Sequence, residues 1–189
     1  MNLNPLKALA PRTLVFIWLW LASGLGHSAG LAGNGFGWLD EFDDDAIDGE
    51  LWSAYLPFPS SSVVESSEAL TLQSRGMLLT TEEARGAYEV RGRFRMQNPV
   101  DHLRIVLRSD LTVLDPVYKD LTGVMVAIEA GGQVFIAEVG KGAMAVTNVS
   151  VGTGRWIDLR IVDCGGVIAL YLDSDPSPLL QARSNHRPG

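Results

Sequence analysis

The sequence holds one cysteine, Cys164, in 189 residues. A lone thiol makes no internal disulfide and no zinc site of several thiolates. Histidine is almost as scarce. His27, His102 and His186 lie too far apart in the chain for zinc spacing. There is no glycine-rich phosphate loop, so that common nucleotide-binding design is missing. Positive charge is in deficit: 15 Lys and Arg stand against 22 Asp and Glu, a net charge of −7. That balance excludes a general nucleic-acid binder. Helical heptads, solenoid repeats and low-complexity linkers are also absent.

What is present begins with an N-terminal pattern. Lys7 and Arg12 precede the apolar run "LVFIWLWLA" (14–22), followed by the small-residue stretch "SGLGHSAG". The order basic, apolar, small is that of a secretory leader. The run is shorter than the roughly 20 residues of a membrane-spanning helix. Residues 1–29 are therefore expected to be a signal peptide outside the fold, with an uncleaved anchor as the alternative and one domain over 30–189. Without Lys7 and Arg12 the chain keeps 13 basic and 22 acidic residues, a charge of −9. The expected location is secreted, periplasmic or on the cell surface, with no stable membrane span once the leader is gone.

Hydrophobic residues make up 47% of the chain, enough for a globular core. They alternate with polar ones in short runs. Strands are expected at Ala69–Gln73, Met77–Thr80, Tyr88–Met96 and His102–Ser109. "GVMVAIE" and "QVFIAEV" flank Gly131-Gly132, and "RWIDLRIVD" and "VIALYLD" flank Cys164-Gly165-Gly166. Paired glycines between alternating runs signal hairpins, because tight turns need positive φ. Cys164 reads as a small turn residue. Many short strands with glycine turns predict an all-β sandwich or barrel.

One segment stands out. In "YEVRGRFRMQNPVDHLRIVLRSD" arginines recur at alternate positions, Arg91, Arg93 and Arg95, then Arg104 and Arg108. Side chains alternate across a strand, so Tyr88, Val90, Phe94 and Met96 share one side and the arginines the other. A hairpin through "QNPV" would bring Arg104 and Arg108 beside the first row. From Arg85 to Arg108 there are six arginines and two acids, in a chain that is otherwise acidic. Guanidinium forks pair with carboxylate or sulfate, so the five arginines are candidate ligands for an acidic glycan. Ion pairing with Glu129, Glu138 or Asp158 is the plainer use of the same row. Rings that could stack on a sugar are sought in loops: Tyr55 and Phe58 in "YLPFPSSS", and Tyr118 in "LTVLDPVYKDLTG".

Several stretches together resemble the concanavalin A-like lectin/glucanase superfamily. "WLDEFDDDAIDGELW" is similar to its first strand and turn. "YEVRGRFR" with "LRIVLRS" resembles paired strands of laminin-G-like members and of the domain related to keto-disaccharide hydrolases. "GRWIDLRIVDCGGVIALYLDSDPSPLLQA" resembles the penultimate hairpin. The resemblance spans about Trp38 to Ala182. It implies a jelly roll of two antiparallel sheets, often with a glycan-binding concave face, and it places Trp52 and Trp156 at core positions, where burial is expected. The family pattern continues with one more core strand, whereas this sequence stops at "NHRPG". It also implies a structural Ca²⁺, for which the acidic run "DEFDDDAIDGE" supplies oxygen ligands. Glu41, Gly49 and Asp173 are the positions implicated, and a solvated acidic loop is the plainer use of the same run. The superfamily's glucanases carry Glu-x-Asp-x-x-Glu on one strand. Here Glu41-Phe42-Asp43 meets Ala46 at the second glutamate position, and Glu129 has no acid two or four residues away on its strand. A retaining glycosidase needs two carboxyls about 5–5.5 Å apart. The expectation is a secreted, non-catalytic carbohydrate-binding or adhesion-like module. The alternative is a glycoside hydrolase, keto-disaccharide-hydrolase-like or glucanase-like, with its site assembled from separate strands.

Overall fold

A computed structural model of the chain describes residues 14–23, 37–39, 46–47, 49–50, 52–56, 59–65, 70–73, 77–80, 87–109 and 122–186. Those residues hold fourteen strands and no helix. In chain order they are β1 (Leu14–Ser23), β2 (Gly37–Leu39), β3 (Trp52–Tyr55), β4 (Ser62–Glu65), β5 (Leu70–Gln73), β6 (Met77–Thr80) and β7 (Tyr88–Met96). Then follow β8 (His102–Leu107), β9 (Val124–Glu129), β10 (Gln133–Glu138), β11 (Gly142–Asn148), β12 (Ile157–Cys164), β13 (Val167–Leu172) and β14 (Leu180–Arg183). An eight-stranded sheet runs β14-β13-β12-β7-β1-β5-β4, with β2 off this path and also paired to β1. A four-stranded sheet runs β11-β10-β9-β8, and β3 pairs with β6. Each pairing is antiparallel, for example β7 with β12 and β8 with β9. The two larger sheets pack against each other as a β-sandwich, as the alternation predicts.

The core lies where the apolar sides meet. From the large sheet come Val90, Phe94 and Met96 of β7, Ile157, Leu159 and Ile161 of β12, and Ile168 and Leu170 of β13. From the small sheet come Leu103 and Leu107 of β8, Val126 and Ile128 of β9, and Val134 and Ile136 of β10. Full burial of a side chain of this size stabilises by about 1.5–3 kcal/mol over leaving it in water. The β12–β13 hairpin turns on Gly165 and Gly166, with φ of 59° and 85°. Two successive positive φ angles match the two-residue turn that suits twisted strands. Cys164 is exposed at that turn.

In the intact chain the apolar run expected to lie outside the fold is strand β1. It pairs with β7 over nine positions, from Val15↔Met96 to Ser23↔Tyr88. Its other edge is shared by β5 and β2.

The "QNPV" turn does not make the expected hairpin: β7 and β8 belong to different sheets. The reason is local. Asp101 is buried, and its carboxylate accepts the backbone N–H groups of Gln97 and Asn98, each at 2.8 Å. Its own N–H donates to the Asn98 carbonyl at 3.0 Å, and its carbonyl accepts from Ala130 N–H at 2.9 Å. These bonds fix an arch that carries the chain from one sheet across to the other.

A second tie closes the far end of the sandwich. Arg108, just past β8, has φ of 54° and a side chain only 8% exposed. Its guanidinium grips Asp163 of β12 through two bonds, Nε to Oδ2 at 2.6 Å and Nη2 to Oδ1. Nη1 donates to the carbonyls of His186 at 2.7 Å and Ser184 at 3.3 Å. Tyr88 of β7 packs into the cluster. Burial first, then the Asp163 charge, pushes its phenol well above the usual range. Gly123 makes the geometry possible, since a Cβ there would stand 2.4 Å from the Leu107 carbonyl oxygen. Breaking a buried pair leaves an uncompensated charge inside and costs about 3–5 kcal/mol. Asp163→Ala is therefore expected to lower stability by about that amount in a denaturant titration, whereas Asp158→Ala, at an exposed pair, should change it by about 0–1 kcal/mol.

Candidate functional site

The outer side of the large sheet gathers charged and aromatic groups from three strands and one loop. Alternation turns Arg91, Arg93 and Arg95 away from the core. Register then sets their neighbours: Arg93 lies opposite Asp158, Arg91 opposite Arg160, and Arg160 opposite Tyr171 on β13. Trp156 immediately precedes β12 and is half-buried.

The contacts follow from that register. The Arg93 and Arg95 guanidinium carbons lie 5.5 and 5.0 Å from the centre of the Trp156 ring. Arg160 stands 4.6 Å above the Tyr171 ring. At these distances the ring quadrupole attracts the cation. Arg93 Nε also reaches Asp158 at 3.2 Å, with both side chains more than half exposed. Glu89 sits at the foot of the patch. It is buried, takes a hydrogen bond from Arg160 Nε at 2.8 Å, and pairs with Arg91. Burial pushes its carboxyl up, but the two guanidinium groups outweigh burial and hold it below its ordinary 4.5. Two acids thus face four arginines, so the patch keeps net positive charge.

The other expected site residues lie elsewhere. Arg104 is exposed on β8, with Ala127 as its partner on β9, on the outer side of the small sheet. Arg108 points inward to Asp163. The five arginines therefore do not share one face, because the Asp101 arch sends β8 to the opposite layer. Tyr55 falls on β3, whereas Phe58, Tyr118 and Glu41 lie outside the described residues. Trp52 is buried as expected, but Trp156 is not.

Gly49 is exposed in a turn. Asp173, with φ of 55°, accepts from Arg155 at 3.2 Å. Among the described residues, no three His, Cys, Asp or Glu side chains gather as a metal cluster.

Arg160, Trp156 and Tyr171 are the members of the patch that reading β7 alone does not reveal. Their signal was in the sequence, as the alternate residues of β12 and β13, but only the strand register brings them to the row. A second polar feature is a cleft of about 460 Å³ lined by Glu138, Lys141, Arg183, Ser184, Asn185 and His186. There Lys141 pairs with Glu138 and holds its carboxyl below the usual range.

No family model matches the chain, and no curated protein matches it either.

The depressed Glu89 carboxyl gives an acid limb to stability. A group whose folded value lies below its unfolded one stabilises the fold above the unfolded value. That contribution is lost as pH falls through the folded value. Thermal midpoints are expected to fall as pH drops below 4.5, and Glu89→Gln should flatten that limb relative to the parent.

Proposed function

We propose that this chain is a secreted, non-catalytic carbohydrate-binding or adhesion-like module that holds acidic glycans on the outer side of its large sheet. The observation that carries the reading is the arginine–ring patch, Arg93 and Arg95 on Trp156 and Arg160 on Tyr171. A ring already bearing guanidinium groups offers a flat apolar surface beside forked donors. A uronate or sulfated sugar uses both, stacking its ring and pairing its anion through two parallel hydrogen bonds. The remaining acidic surface repels other polyanions and favours a ligand that fits the patch. Kinship with concanavalin A-like jelly rolls belongs to the same proposal, and the two-sheet sandwich is consistent with it.

The test is retention on immobilised acidic polysaccharide at low salt. Arg93→Ala with Arg95→Ala is expected to abolish retention, and Arg93→Ala alone should weaken it while moving the melting temperature little, since its exposed pair with Asp158 contributes about 0–1 kcal/mol. Arg104→Ala should bind like the parent, because it sits on the other sheet. Parental retention by the double variant would refute the proposal. Release of reducing sugar from the bound polysaccharide would instead favour the hydrolase alternative.

A further inference from the structure

Two ring–cation stations make up the outer patch, and strand register sets them apart. One holds Tyr171, with Arg160 stacked on it and Arg91 in the same cross-strand row. The other holds Trp156, with Arg93 and Arg95 stacked on it. Along β7 the stations are marked by Arg91 and Arg95, four residues apart. At the rise of an antiparallel strand that is about 14 Å. One sugar ring does not cover such a distance, nor do two adjacent rings. A ligand that engages both stations is a chain, with neutral or charged sugar between the two units it gives to the rings.

The row between the stations decides which. There Arg93 stands opposite Asp158 in register, with Nε 3.2 Å from its carboxylate. On the next strand Asp173 donates its backbone N–H to the Asp158 carbonyl at 2.7 Å, and its carboxylate takes Arg155 at 3.2 Å. Both aspartates have half or more of their side chains exposed. The middle of the patch therefore shows two carboxylates to solvent, each matched with a guanidinium. An anion laid across that row meets like charge and has to take a guanidinium from one of them. The hydroxyls of a neutral sugar face no such conflict, because a hydroxyl donates to a carboxylate and accepts from a guanidinium.

We propose that the patch selects an acidic polysaccharide of spaced charge, in which neutral sugar separates the units that carry carboxylate or sulfate. This rests on the reading of the outer side as a site for acidic glycans, and adds an order of charge along the ligand. The acidic units stack at Tyr171 and at Trp156, each under guanidinium forks. The neutral unit crosses Asp158 and Asp173. A plain cationic surface has the opposite preference, since a polymer charged on every sugar offers it more charge per length. Selection of the sparser polymer is the signature of the middle row.

The test compares affinities at low salt for two labelled oligosaccharides of equal sugar count. One is a hyaluronan hexasaccharide, in which glucuronate alternates with a neutral sugar. The other is a galacturonate hexamer, charged on every sugar. The hyaluronan hexasaccharide is expected to bind about tenfold more tightly although it carries half the charge. A hyaluronan disaccharide has one anion and reaches one station, so it should bind about a hundredfold more weakly than the hexasaccharide. Tyr171→Leu should bring the hexasaccharide down towards the disaccharide; if that variant does not fold, the length series in the parent decides the same point. Asp158→Asn, at an exposed pair, should strengthen galacturonate binding and narrow the preference. Equal or tighter binding of the galacturonate hexamer by the parent overturns the proposal and leaves the acidic-glycan reading standing. Equal affinity for disaccharide and hexasaccharide overturns the two stations, and an unchanged preference in Asp158→Asn overturns the middle row. Binding to neither oligosaccharide also overturns the proposal. Retention on immobilised acidic polysaccharide in that case keeps the underlying reading, and its absence refutes that reading as well.

Discussion

The buried pair between Arg108 and Asp163 is the interaction on which the rest of the sandwich depends. It joins the end of β8 in one sheet to β12 in the other, and its spare donors hold the backbone of Ser184 and His186. His186 answers with Nε2 at 3.1 Å from the Arg108 carbonyl oxygen. Such a pair is unforgiving: desolvating two charges is offset only when the geometry is good and the remaining donors are satisfied. Here two carbonyls and a carboxylate satisfy the guanidinium. Gly123 and the left-handed backbone of Arg108 give the room.

With the two layers tied at Asp101 and at Arg108, alternation does the rest. β7 and β12 each show an apolar side to the core and a more polar second side. On β7 and β12 that second side carries the arginines, Asp158 and Glu89, and the loop before β12 adds Trp156. The patch is thus a by-product of the sandwich, and its pairs stand at different depths. Glu89 is held below ordinary carboxyl titration by two guanidinium groups. Arg93 and Asp158 are open to solvent, where a single pair contributes little. The inner pair fixes the patch, and the outer groups are the ones free to exchange partners for a ligand.

Strand β1 sits at the crossing of two demands. Its composition, apolar with basic residues before and small ones after, suits a leader. A short apolar run also suits a strand, and the fold uses it as one, paired along both edges. Short apolar runs are ambiguous in this way, because periodicity alone does not separate their uses.

Much of the fold was legible from residue order. Tyr88–Met96 and Met77–Thr80 fall where the alternation put them, as do the glycine turns at Gly132 and Gly165–Gly166. Those signals are local: side-chain alternation and positive φ act within a few residues. Strands β3, β4, β11 and β14 were not foreseen, being short or only partly apolar. What sequence order did not decide was which strands pair. The Asn98-Pro99 step looked like a hairpin, yet Asp101 draws the turn into an arch between layers. Arg108 looked like an outer arginine and is an inner one, because a carboxylate 55 residues away receives it. Trp156 looked like core and stacks under two guanidinium groups. Local order determines which residues can share a side of a strand; long-range register, fixed by packing and by buried ion pairs, decides which of those sides meet.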